Sequence, residues 1–141
     1  MAFLGAVAAG LVGTAVMTAL IYMMPLMGLP KMDIIGMLGT MFTADEGTAN
    51  IVGTVVHFLL GIIFAIIYAF LWDSVIGDPT ALWGLAFGLV HGIIAVIVMP
   101  TMRNMHPRPP EMEMGPLLMA GLIVGHIIFG IVVALVYAAF I

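Results

Sequence analysis

Charged residues occur in three short windows of the chain, and between them lie four uncharged apolar stretches, residues 1–30, 47–72, 79–102 and 114–141. A helix rises about 1.5 Å per residue, so about 20 apolar residues cross the roughly 30 Å hydrocarbon core of a bilayer. Each stretch is long enough. The pattern predicts an all-α integral membrane four-helix bundle, one transmembrane domain over residues 1–141, with spans at about 2–24, 49–72, 81–101 and 116–141. The first stretch lacks the basic n-region of a signal peptide and exceeds its apolar core in length, so it is expected to stay as a span.

The connectors carry their own signals. Pro25 and Pro30 end span 1, and residues 31–42 gather Ile34, Ile35, Leu38, Met41 and Phe42 on one side, the pattern of a short interfacial helix lying on the bilayer. Asp45, Glu46 and Thr48 offer cap chemistry to span 2. Trp72 and Trp83 read as interfacial anchors at one level. Pro107, Pro109, Pro110 and Pro116 make the last connector too stiff for a helix.

Composition agrees: 65% of residues are hydrophobic and 7% charged, which leaves no soluble domain to hold a site outside the helices. Without cysteine there is no disulfide, thiolate ligand or thiol nucleophile. A net charge of −4 with no basic cluster excludes nucleic acid as a partner. Lys31, Arg103 and Arg108 all follow spans 1 and 3, so the positive-inside rule makes connectors 25–48 and 102–115 cytoplasmic, in what reads as a prokaryotic plasma membrane.

Shifting the chain by 69 residues lays 57–70 on 126–139 with six of 14 pairs identical, His57/His126, Gly61/Gly130 and Tyr68/Tyr137 among them. A shift of 78 matches Ala8, Gly10, Leu11 and Val12 to Ala86, Gly88, Leu89 and Val90. Two tandem two-span repeats are expected, related by an axis along the membrane normal, with His57 and His126 as equivalents.

His57, His91 and His126 lie at one level, ~13–15 Å from the same membrane side at about 1.5 Å per residue. Each sits on a stripe of Gly and Ala where helices approach closely, so the imidazoles are expected to point inward. Such residues could hold haem b, bind copper or zinc, or pass protons; alternatively each forms a plain cross-helix hydrogen bond. A second constellation is His106 with Met105, Met112 and Met114, whose soft thioethers suit Cu(I) as well as they suit adaptable packing. Glu111 and Glu113 read as solvated charges. No nucleophile elbow, phosphate loop or zinc-protease helix is present, so nothing argues for an enzyme.

The runs Gly13-Thr-Ala-Val-Met-Thr18, Gly28-Leu-Pro-Lys-Met-Asp33 and Met37-Leu-Gly-Thr-Met-Phe42, with the His-x-x-x-Gly opening of spans 2 and 4, resemble small four-span prokaryotic membrane proteins of unknown function. The resemblance implies no activity. The reading from the residues is a non-catalytic accessory subunit in contact with the lipid bilayer, packed in a larger membrane complex of electron-transfer or respiratory type or in a homo-oligomer. Its alternatives are a small transporter or channel lined by the histidines and a Met-rich copper-handling protein.

Overall fold

The computed structural model describes residues 1–141, which form five helices and no strand: α1 (Phe3–Met23), α2 (Ile34–Gly39), α3 (Glu46–Leu71), α4 (Ala81–Met105) and α5 (Pro116–Ala138). All but α2 are long and apolar enough to cross a membrane. Local chemistry sets their ends. Asp45 caps α3, accepting from Thr48 N at 2.8 Å and Thr48 Oγ1 at 2.6 Å, and these bonds to the charged form hold its carboxyl below the usual aspartate value. Thr80 Oγ1 accepts from Trp83 N at the start of α4. The last turn of α3 widens over Trp72–Ile76 and closes with Gly77 N donating to Trp72 O at 2.8 Å, Gly77 taking a φ of 96° that favours glycine. Helix α4 runs through Pro100 to Met105, beyond the expected end at 101, before the proline-rich connector begins.

The long helices lie side by side in the order α3, α1, α5, α4. Glycine decides where they approach. A Cβ at Gly10 of α1 would meet Ile62 Cα of α3 at 2.7 Å, and one at Gly88 of α4 would meet Ile127 Cα of α5 at 2.6 Å, so both seams bring backbone against backbone. Gly84 and Gly130 complete the α4–α5 seam, each facing the other's carbonyl. Between α1 and α5, Gly13 receives Val133 and Phe129. Helices α3 and α4, although consecutive in the chain, do not pack along one another.

Two expectations need correction. The short helix covers only Ile34–Gly39, and its burial is not one-sided: Ile34, Ile35, Gly36, Met37 and Gly39 are all buried. Gly39 lies against the Ala49 backbone and Gly53 of α3 against the Ile35 carbonyl, so glycine on both sides seats the helix against the start of α3. Trp72, expected at an interface, has no exposed surface and stacks on Phe87 at 5.3 Å and Tyr137 at 6.1 Å; Trp83 remains 43% exposed.

Candidate functional site

The gap between α3 and α4 is a cleft of about 300 Å³ at mid-length of the helices. His57 of α3, His91 of α4 and His126 of α5 all line it, as the sequence places them at one level, together with Thr14 and Met17 of α1. Ile34 and Leu38 of α2 stand at one end, and Phe64 and Phe129 add aromatic wall. At its lips Leu60, Ile94 and Val98 are 38%, 52% and 49% exposed, so the opening is lateral and apolar.

Hydrogen bonds fix how the imidazoles present themselves. His126 Nδ1 lies 2.7 Å from Leu122 O; a carbonyl only accepts, so Nδ1 carries the proton and the neutral ring keeps its lone pair on Nε2. Tyr68 Oη lies 3.3 Å from Phe87 O and 3.0 Å from His91 Nδ1. The hydroxyl has one hydrogen, and both contacts are satisfied together when it donates to Phe87 O and accepts from His91 Nδ1–H, which again leaves the lone pair on Nε2. His57 differs. It is only 8% exposed, and its Nε2 is sealed inside the protein with no partner, a condition that costs about 1–3 kcal/mol.

The ring neighbour of His126 is His91, with centroids 4.4 Å apart, whereas repeat matching pairs His126 with His57. An iron held between two axial imidazoles, each bond about 2 Å long, sets the ring centroids about 6 Å apart. His91 and His126 therefore leave no room for a macrocycle between them. No group of three or more His, Asp or Glu side chains gathers in metal-binding geometry.

Of the second predicted constellation, His106 is held in structural contacts. His106 Nε2 donates to Met37 O at 2.7 Å and His106 Nδ1 accepts from Arg108 N at 2.9 Å, so both ring nitrogens are engaged. Arg108 Nε donates to Thr40 O at 3.0 Å. Together they strap the last connector over the C-terminal end of α2 and satisfy its free carbonyls. Met112 is buried, Met114 is half-buried and Met105 is 79% exposed.

A family model for proteins of unknown function, DUF6789, matches residues 2–141. The chain belongs to this family. No curated protein and no solved structure matches it. For this DUF6789 member, site chemistry therefore rests on the geometry of its own residues. Tyr68 is the site residue that sequence reasoning passed over. The stripe of His57, Gly61 and Ala65 runs on one further turn to Tyr68, and that continuation was the available signal.

Proposed function

We propose that the chain is an integral membrane protein of the plasma membrane that binds one small lipophilic molecule, without chemical conversion, in the cleft between α3 and α4. The single observation that carries this reading is that histidines from three helices meet in one cavity whose opening is lateral and apolar. A molecule arriving from the bilayer core enters sideways, leaves its tail among Leu60, Ile94 and Val98, and finds polar partners at the imidazoles and at Thr14. Exposed apolar side chains on all four long helices, such as Leu4, Ile51, Leu82 and Val124, suit lipid contact around the whole girth. Connectors 25–48 and 102–115, which hold Lys31, Arg103 and Arg108, face the cytoplasm in this reading.

The cleft follows from a duplicated architecture that is closed at one seam and open at the other. In the proposed repeat, Gly61 meets Gly10 as Gly130 meets Gly88, within one turn of stagger. The Tyr68 hydroxyl reaches α4, and the Tyr137 hydroxyl reaches Ala2 at the start of α1. The two lateral seams should then match, yet α1 closes on α5 while α4 stands off α3. The aligned residues supply a cause. Gly13 admits Val133 on the closed side; on the other side the aligned pair is His91 and Phe64, whose rings meet at 4.0 Å and act as a wedge.

A conducting lane finds less support. The hydroxyls of Thr14, Thr18 and Thr54 each donate to a carbonyl of their own helix at 2.7 Å, which uses the hydrogens that a polar path needs.

Native mass spectrometry of the protein released from its membranes tests the proposal. One small hydrophobic adduct per chain is expected, lost in Ala95→Trp, which fills the cleft, while thermal stability is kept. Wild-type protein arriving bare, or an adduct retained by the folded Ala95→Trp variant, would overturn the proposal.

A further inference from the structure

We infer that the cleft selects a hydroxyl-bearing aromatic ring on an apolar tail, a membrane-soluble phenol such as a hydroquinone, with His91 or His126 accepting its hydrogen. The inference rests on the lateral-cleft reading above and adds the chemical class of the occupant. It follows from counting which polar atoms remain free. Thr14 Oγ1 has its hydrogen committed to Gly10 O, His126 Nδ1 to Leu122 O, and His91 Nδ1 to Tyr68. What remains free at the cleft is acceptors only, the Nε2 lone pairs of His91 and His126 and the Thr14 oxygen, while His57 lines the cleft with its Nε2 sealed inside the protein.

Two acceptors on adjoining rings need a ligand that brings a hydrogen, which a ketone, an ester or a quinone lacks. A hydroxyl supplies one. The walls favour a ring: Phe64 and His91 meet at 4.0 Å and His91 and Phe129 at 6.2 Å, presenting aromatic faces and edges beside the free nitrogens. Apolar lips at Leu60, Ile94 and Val98 suit an alkyl or isoprenoid tail rather than a second polar group.

The test titrates the full chain in detergent with three probes of equal tail length: decyl-hydroquinone kept reduced, the corresponding decyl-quinone, and decanol. The hydroquinone should bind at one site per chain, at least tenfold tighter than the quinone, since a ligand without a hydrogen forfeits about 1.4 kcal/mol or more. His126→Leu and His91→Leu, checked for unchanged thermal stability, should each narrow that preference. Equal binding of quinone and hydroquinone overturns the donor assignment while leaving cleft binding intact. Decanol binding as tightly as the hydroquinone overturns the ring. If either His→Leu variant fails to fold, the corresponding His→Gln variant, which retains an acceptor, must keep the preference, and its loss there also overturns the assignment. Absence of binding by all three, with native adducts also absent, removes the lateral-cleft reading itself.

Discussion

Tyr68 and His91 join α3 to α4 through a hydroxyl 3.0 Å from Nδ1, at the end of a cleft along which the backbones of these two helices stand apart. The bond orients the His91 ring as well as tethering the helix, because it directs Nε2 toward the cavity. Tyr68→Phe removes both polar links and keeps the ring against Phe87, Trp72 and Phe129. The variant should lose about 0.5–2 kcal/mol of stability, the range for one or two buried hydrogen bonds. Thermal melting in detergent measures this, and an unchanged midpoint would remove the tether.

His91 and Phe64 are expected to prop the cleft open. Replacing both with smaller side chains, His91→Ala with Phe64→Val, should let α4 settle on α3 as α1 settles on α5, giving a folded protein without the native adduct. Mass spectrometry reads the adduct directly. Its retention at wild-type level would contradict the wedge.

Glycine seams predict a graded series. Gly88→Ala places a methyl against the His126 carbonyl and Ile127 Cα, both backbone atoms that cannot move aside, whereas a Cβ at Gly115 meets nothing within 4 Å. Gly88→Ala should destabilise by about 1–3 kcal/mol, the usual scale of overpacking, and Gly115→Ala by much less. Gly61→Leu and Gly130→Leu should be worse than either. Equal melting temperatures across the series would place these faces away from any helix contact.

How much of this was legible in the residues differs from feature to feature. The four long helices, the Asp45 cap and the shared level of His57, His91 and His126 were readable, because span length, capping and helical rise are local properties. The order α3, α1, α5, α4 was not. It depends on which glycine meets which backbone, and the stripes on all four helices look alike in one dimension. For the same reason Trp72 was assigned to an interface: an aromatic at a helix end reads the same in sequence whether it faces outward or stacks on Phe87 and Tyr137. The seat of α2 leaves no local trace, because the glycines that hold it, Gly39 and Gly53, lie on two different segments. His106 carried a metal-like signal for want of any local trace of its partner, the distant Met37 carbonyl.

Sidedness can be tested with single cysteines, since the chain has none of its own. Glu113→Cys lies in the connector expected to be cytoplasmic and Asp78→Cys in the opposite one, and both positions are exposed. In intact cells an impermeant maleimide should label Asp78→Cys and spare Glu113→Cys. The reverse pattern would invert the topology.

Three of the four histidines should surround one ligand while the fourth holds a connector, and imidazole nitrogen NMR addresses this residue by residue. With 15N-labelled histidine and each signal assigned by a single substitution, the protein in lipid nanodiscs is titrated with decyl-hydroquinone and separately with decanol. Signals of His57, His91 and His126 should shift together along one saturation curve with at least one probe, and His106 should stay still. Shifts confined to one of the three, shifts with separate midpoints, or movement of none of the three with either probe would contradict it.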